Sequence, residues 1–170
     1  GSFNAHSITT GADGAYDVYA TDVDGDGDMD VLSASYEDDK ITWYENNGSE
    51  SFSAHTITSS ADAATSVFAT DVDGDGDVDV VSAAYYANAS IAWYENDGNE
   101  SFTAHSITTS ADYDYATSVY ATDVDGDGDV DVLSASEDDN TIAWYENNGS
   151  ESFSAHTITT SANGAKDVYA

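Results

Sequence analysis

Residues 22–30 read DVDGDGDMD, and the same acidic nonapeptide recurs with Val in place of Met at residues 71–79 and 123–131. Five carboxylates within nine residues repel one another unless a cation lies among them. Alternating Asp residues, separated by glycines that let the backbone curl, direct several oxygen atoms towards one centre, as a hard divalent cation requires. The three copies therefore predict three calcium-binding loops.

The spacing also predicts which atoms of each loop bind the ion. The fourth Asp of a copy offers its backbone carbonyl, and the other four offer carboxylates. The predicted ligands are Asp22, Asp24, Asp26, Asp28 and Asp30 in the first loop, Asp71, Asp73, Asp75, Asp77 and Asp79 in the second, and Asp123, Asp125, Asp127, Asp129 and Asp131 in the third. The loops are not EF-hands, because position 12 holds Ser33, Ser82 and Ser134 where an EF-hand has Glu.

Two alternatives to calcium explain the loops less well. A solvated hairpin turn would need only a single Asp-Gly pair, not three copies with five acids each. Magnesium prefers fewer carboxylates and retains its waters. The flanking runs are β-branched or aromatic, such as 18–20 and 31–32, so each loop is expected to join two strands.

A period close to fifty residues runs through the chain and is marked by Trp43, Trp93 and Trp144. In the first unit, turn residues separate four expected strands, at 17–21, 30–35, 40–45 and 52–58. Trp43 and Tyr44 point to opposite faces of their strand, so both faces of the sheet carry bulky side chains. This pattern predicts an all-β fold of four-stranded antiparallel β-propeller blades. A β-sandwich does not explain the period, and a calcium β-helix needs shorter glycine-rich repeats.

The period divides the chain into three complete repeats and two partial ones. The expected units are a last strand of a preceding blade at 1–10, blades at 11–60, 61–110 and 111–160, and a first strand of a further blade at 161–170. Three blades do not close a ring. We therefore expect the partner to be either other copies of the chain or further blades of a longer chain.

Composition restricts the function further. The 170 residues include 34 acids and two bases, for a formal charge of -32. Two lysines cannot form a basic face, which excludes nucleic acid and anionic lipid as partners, and no stretch is apolar enough to span a membrane. Because self-repulsion of this size needs screening by salt or divalent ions, a saline or calcium-rich setting outside the cell or at its surface is expected.

No residue pattern indicates catalysis. The histidines, which repeat in equivalent strands, are interpreted as structural rather than as a zinc site; they are His6, His55, His105 and His156. The chain has no nucleophile elbow and no Cys, and the tryptophans are expected to pack rather than to stack on sugars. The sequence thus predicts a non-enzymatic protein.

The strings DVDGDGDMDV and DVDGDGDVDV, followed by ITWYENNG or IAWYENDG and a Phe-containing strand, resemble the FG-GAP/VCBS repeats of bacterial and archaeal surface proteins. The acidic loops are also similar to those of integrin α-subunit propellers. The resemblance covers nearly the whole chain and implies a prokaryotic propeller of about seven blades, with calcium between the first two strands of a blade. Such repeats often occur in adhesion or carbohydrate-associated proteins.

Three functions follow as hypotheses. The first is a calcium-binding extracellular module for adhesion, surface interaction or glycan recognition, with glycan or a cell-surface protein as partner. The second is a structural subunit that assembles with other copies into a ring or filament, and the third is a non-catalytic segment of a polysaccharide-processing enzyme. The segments before each first strand vary between repeats. The two tyrosines of the third such segment, together with a pair in the second repeat, are the candidate contact surface: Tyr85, Tyr86, Tyr113 and Tyr115.

Overall fold

A computed structural model of the chain describes residues 4–86, 91–108 and 115–170. In these residues the regular structure consists of twelve β-strands. They are β1 Ala15–Thr21, β2 Asp30–Ser35, β3 Lys40–Asn46, β4 Phe52–Thr58, β5 Ala64–Thr70, β6 Asp79–Ala84, β7 Ile91–Asn96, β8 Phe102–Ser106, β9 Ala116–Thr122, β10 Asp131–Ser136, β11 Thr141–Asn147 and β12 Phe153–Thr159.

The strands form three antiparallel sheets of four, in the orders β1-β2-β3-β4, β5-β6-β7-β8 and β9-β10-β11-β12. Each sheet corresponds to one repeat, which confirms the predicted all-β fold of propeller-like blades. The strand bounds agree closely with expectation, except that β1 begins earlier, at Ala15, and β3 continues to Asn46.

The register of each sheet places bulky side chains on both faces. Leu32 pairs with Trp43, and Trp43 pairs with His55, so these side chains share one face. Tyr44, the next residue, lies opposite Val31 and faces the other way. The predicted alternation is confirmed, and each sheet can pack against a neighbour on either side.

Two hydrophobic cores lie between successive sheets. The first includes Trp43 of the first sheet and Tyr94 of the second, and the next includes Trp93 of the second sheet and Tyr145 of the third. Trp43 and Trp93 are completely buried, which confirms a packing role for them. The tryptophan face of one sheet therefore packs on the tyrosine face of the following sheet.

The first strands of the sheets are the innermost elements, because β5 contacts both β1 and β9. The ring of Phe68 lies 4.8 Å from that of Tyr19 and 4.7 Å from that of Tyr120. The Thr65 hydroxyl donates a hydrogen bond of 2.7 Å to the Ala116 carbonyl. The three blades thus radiate from adjacent inner strands, and within the described residues they form an open array.

The two partial repeats differ from expectation in one respect. Residues 4–14 and 160–170 form no strand, whereas strands were expected at 1–10 and 161–170. A strand is defined by its ladder, and no strand of the described residues pairs with either segment. The second segment nevertheless lies along β9, where Thr117 Oγ1 donates to the Ala165 carbonyl at 3.0 Å and Ser118 Oγ to Asp167 at 2.9 Å. The exact boundaries between repeats stay predictions.

Candidate metal centre

Each acidic nonapeptide forms the connection between the first and second strands of a sheet, as predicted. Its two glycines adopt positive φ angles, for example 74° at Gly25 and 95° at Gly27. No atom lies within 4 Å of a Cβ built at either position, so glycine is needed there for the backbone conformation rather than for space. This conformation curls the loop and brings alternate side chains together.

Three carboxylates converge in each loop, with potential ligand atoms within 4.8 Å of one another. The three groups are Asp22, Asp24 and Asp30; Asp71, Asp73 and Asp79; and Asp123, Asp125 and Asp127. The structure therefore brings together three of the five predicted ligands of each loop. The first and second loops use the same positions, whereas the third replaces the last Asp by the middle one.

The remaining predicted ligands make other contacts. The Asp26 and Asp75 carboxylates accept backbone N–H groups of their own loops, at 2.8 and 2.9 Å. The fourth Asp of each loop lies against a glycine of the turn between the third and fourth strands, where a Cβ would clash with the carboxylate; the pairs are Asp28 with Gly48, Asp77 with Gly98, and Asp129 with Gly149. Its side chain therefore lies against the turn and is not among the three converging carboxylates, and the backbone carbonyl role of the fourth Asp stays a prediction.

The last Asp of each loop is an anchor as well as a candidate ligand. Asp30 is completely buried and accepts hydrogen bonds from Val23 N at 3.1 Å, Asn46 N at 2.7 Å and Trp43 Nε1 at 2.9 Å. Asp131 is also buried and accepts equivalent backbone bonds at 2.9 and 2.8 Å. These bonds tie each loop to the third strand of its own sheet. This anchor was not predicted from the sequence, although the Asn at the end of each third strand recurs with the period.

Burial and mutual repulsion raise the pKa values of several loop carboxyls. Desolvation is the main cause at Asp79, whose pKa rises to about 6, and the charge of Asp73 adds to it. Desolvation also raises the pKa values of Asp24, Asp73 and Asp125, with further contributions from neighbouring Asp residues. A bound cation would oppose both causes, because it stabilises the ionised form.

The chain offers no positively charged side chain that could neutralise the loops. Its only two bases are Lys40 and Lys166, which bind Asp38 at 2.6 Å and Glu137 at 2.7 Å. Both partners belong to turns between second and third strands, at the opposite end of the blades. The negative charge of the loops is therefore not neutralised by a lysine, and only an ion from solution could neutralise it.

The loop residues fit a hard divalent cation. Asp22 Oδ1 is buried and has no hydrogen-bond partner in the described part of the chain, while Oδ2 of the same residue accepts the Gly27 N–H at 2.9 Å. An oxygen atom that is shielded from water and left without a donor suits a metal ligand. All the converging atoms are carboxylate oxygens, the donor type that calcium and magnesium prefer.

Three histidines lie in a second repeated arrangement, in the outer strands β4, β8 and β12: His55, His105 and His156. In each sheet a His ring stacks on the Trp of the adjacent strand, with ring centroids 4.5–4.8 Å apart. The same His rings contact Glu45, Glu95 and Glu146 at 2.7–2.8 Å. Each of these histidines is therefore paired within its own blade, as the structural interpretation requires.

A cluster of tyrosines occupies the end of the blades away from the acidic loops. Tyr85 lies 4.9 Å from Tyr86 and 4.8 Å from Tyr115, measured between ring centroids. Tyr36 lies 6.5 Å from Tyr86, and Tyr16 stacks on Tyr36 at 5.9 Å. Of the predicted surface residues, Tyr113 lies outside the described residues. Tyr16 belongs to the variable segment before β1, but neither it nor Tyr36, in the turn after β2, was among the predicted contact residues.

Comparison with known proteins identifies the repeat. A family model described as an FG-GAP-like repeat matches residues 22–82, 71–134 and 123–170. Together the matches span residues 22–170, which include all three acidic loops. No curated protein gives a significant match. No helix suited to crossing a membrane occurs in the residues that the structure describes.

Proposed function

The chain belongs to the FG-GAP-like repeat family, and we propose that it is a calcium-binding β-propeller module that works outside the cell in adhesion or glycan recognition. Repeats of this family are non-catalytic and typically extracellular. The module itself would then have no enzymatic activity, and any chemistry would belong to another domain or protein.

The observation that carries the calcium proposal is the convergence of three carboxylates in every loop, without a basic side chain to neutralise them. Calcium accepts more carboxylate ligands than magnesium and tolerates less regular geometry, so it suits these crowded loops better. When bound, the ion would supply positive charge that neutralises the carboxylates. Because the ion would bind the folded loop and not the unfolded chain, its binding would stabilise the fold by linkage.

Calcium titration by calorimetry tests this proposal. We expect three bound ions per chain and much weaker binding of magnesium. Asp71→Asn should remove binding in the second loop, whereas Glu50→Gln removes the same charge from a side chain that is 80% exposed and lies outside the loops. Equal calcium binding by both variants would contradict the proposal.

The tyrosine cluster supports the recognition part of the proposal. Tyr16 and Tyr86 are 60% and 59% exposed, although aromatic rings surround them. The Tyr85 hydroxyl lies 3.3 Å from an Asp138 carboxylate oxygen, so a polar group lies within reach of the cluster. Rings that stack and polar groups that hydrogen-bond are the two elements of a sugar-binding surface.

A glycan array probed with the calcium-loaded protein tests this surface. Tyr86→Ser should abolish binding of any glycan that the wild-type protein retains. Ile158→Ser is the control, because this apolar side chain is 58% exposed and belongs to β12 rather than to the cluster. Equal loss in both variants, or no retained glycan, would contradict glycan recognition and leave a cell-surface protein as the proposed partner.

Assembly with other copies is a second candidate, favoured by the inner aromatic rings. The rings of Tyr19, Phe68 and Tyr120 contact one another in succession from blade to blade, and Tyr169 occupies the equivalent position of the next repeat. Its ring and the Val18 side chain, 65% exposed, would be covered by a neighbouring blade. Light scattering in calcium should then give a mass of more than one chain, and a monomer at all concentrations would contradict assembly.

A further inference from the structure

A series of hydrogen bonds passes through all three acidic loops. It begins at the buried Asp30 carboxylate, which accepts the Val23 N–H of its own loop at 3.1 Å. The carbonyl of the same residue, Val23, accepts a hydrogen bond of 3.4 Å from Asn96 Nδ2 of the second sheet. One residue of the first loop therefore connects its anchoring carboxylate to the neighbouring blade.

The series continues in the second blade with the same chemistry. The backbone N–H of Asn96 donates to Asp79 at 2.8 Å, and Asp79 also accepts the Val72 N–H at 2.9 Å. The Val72 carbonyl then accepts a bond of 3.5 Å from Asn147 Nδ2 of the third sheet.

In the third blade the Asn147 N–H donates to Asp131 at 2.8 Å, and Asp131 accepts the Val124 N–H at 2.9 Å. The anchoring carboxylates of the three loops thus belong to one hydrogen-bonded series. Each pair of neighbouring blades is joined in it by one hydrogen bond from an asparagine side-chain amide to a valine carbonyl.

The residues that form the bridges between blades are more buried than the equivalent residues outside the interfaces. Asn96 and Asn147 are 3% and 2% exposed, and each amide also donates to a valine carbonyl of its own loop, at 3.1 and 3.2 Å. Val23 and Val72 are each 3% exposed within the cores between sheets, whereas Val124 is 41% exposed. The bridges therefore occur where two loops meet across a blade interface.

Asn46 provides a natural control within the chain. It occupies the same position of the first sheet, donates its backbone N–H to Asp30 at 2.7 Å and its amide to the Met29 carbonyl at 3.1 Å. Among the described residues, no hydrogen bond joins its amide to another sheet. It thus has the contacts of Asn96 within a blade without the contact between blades.

We propose that Asn96 and Asn147 are positioning residues that couple cation binding in neighbouring loops; this inference rests on the proposed calcium function. When the first loop is fixed around an ion, its Val23 carbonyl is held in place. This carbonyl orients the side-chain amide of Asn96, and the backbone N–H of Asn96 in turn orients the Asp79 carboxylate. Part of the ordering that the second loop needs is then already complete, so its affinity for the ion rises. The same reasoning applies from the second loop to the third.

Calorimetric calcium titration of Asn96→Ala, Asn147→Ala and Asn46→Ala tests the coupling. Successive ions reduce the negative charge and weaken later binding equally in all variants, because asparagine is neutral. Coupling predicts that Asn96→Ala and Asn147→Ala lower the mean affinity by about 5-fold or more relative to Asn46→Ala, and make the titration less cooperative. Equal effects of the three substitutions would overturn the coupling while leaving the calcium function intact.

An NMR measurement that needs no asparagine variant covers the case in which Asn96→Ala or Asn147→Ala does not fold. The amides of Gly27, Gly76 and Gly128 donate to the first Asp of their respective loops, so their NMR shifts report each loop separately. In the coupled protein Asp71→Asn, which disables the second loop, weakens calcium binding at Gly27 and Gly128. Unchanged curves at these two glycines would overturn the coupling, and wild-type curves without any calcium response would overturn the proposed function itself.

Discussion

The two ends of the blades differ in how strictly the repeats agree. At one end the acidic loops are nearly identical in sequence, and each is anchored by a buried Asp that is hydrogen-bonded to the third strand. At the other end the segments before the first strands differ, and tyrosines from three blades meet at a partly exposed surface. We infer that the uniform end maintains the fold and that the variable end is available for recognition.

Removal of calcium should produce the largest effect, because it acts on the whole uniform end at once. Each filled site adds about 2.7 kcal/mol at a calcium concentration about 100 times Kd. For three sites in a chain of this size, we expect chelation to lower the melting temperature by roughly 15 °C or more. Differential scanning calorimetry with and without chelator measures this, and an unchanged melting temperature would mean that the loops do not stabilise the fold through calcium.

Substitution of Gly98 should have the next largest effect. This residue has a φ of 70°, and an added Cβ would clash with the Asp77 carboxylate. We expect Gly98→Ala to lower the free energy of unfolding by about 2 kcal/mol or more. Gly74→Ala is the control, because its φ is 81° and nothing lies within 4 Å, so only backbone strain of about 1 kcal/mol remains. Equal losses of unfolding free energy for the two variants, measured in the presence of calcium, would show that the contact between the turn and the loop does not contribute to stability.

Acidity should change the stability of the calcium-free protein in an unusual direction. The pKa of Asp79 is about 6 in the folded chain against an ordinary value of 3.8, because burial disfavours its charged form. The folded state therefore binds this proton more tightly, and the stabilisation, complete below about pH 4, is lost as the pH rises through 6. We expect calcium-free melting temperatures to be higher at pH 5 than at pH 7, and calcium to stabilise more at pH 7.

The control for this prediction is Asp79→Asn, which removes the titrating group and should flatten the dependence between pH 4 and 6. The shifts at Asp24, Asp73 and Asp125 have the same direction, so some dependence should remain. Calcium-free stability that increases steadily from pH 5 to pH 7 would contradict the desolvation of the loops.

The smallest effect on stability is expected at the variable end. Tyr86 is 59% exposed, so Tyr86→Phe should change the free energy of unfolding by less than about 0.5 kcal/mol. Its hydrogen bond is the main cause that raises the pKa of Tyr36 to about 12, and the substitution should return that pKa towards 10.0. Absorbance titration measures the change. A large loss of stability would assign the tyrosines to the fold rather than to recognition.

Much of the fold could be predicted from local patterns. The period of the tryptophans indicated four-stranded units, and the expected strands at 30–35 and 52–58 match β2 and β4. Strands at 1–10 and 161–170 were expected for the same reason, but repetition of a sequence does not supply the neighbouring strand that completes a ladder. The periodic pattern therefore succeeded wherever a complete repeat was present.

The candidate metal centre was predictable in composition but not in arrangement. Alternating Asp residues indicated an oxygen-rich loop, yet the carboxylates that converge differ between Asp30 of the first loop and Asp127 of the third. The turn glycine Gly98, in contact with Asp77, and the bridging amide of Asn96 lie far along the chain from the loops that they contact. Such partners follow from sheet register and blade packing, which a short motif does not encode.

By itself, the sequence determined the repeat length, the four-strand pattern, the acidic loops and the large negative charge, because each depends on residues that are close along the chain. Only the tertiary structure decided which carboxylates face one another, how Asn96 and Asn147 join neighbouring loops, and that tyrosines from three blades form one cluster. These features depend on contacts between blades, where residues about fifty to seventy-five positions apart are brought together by the packing of successive sheets.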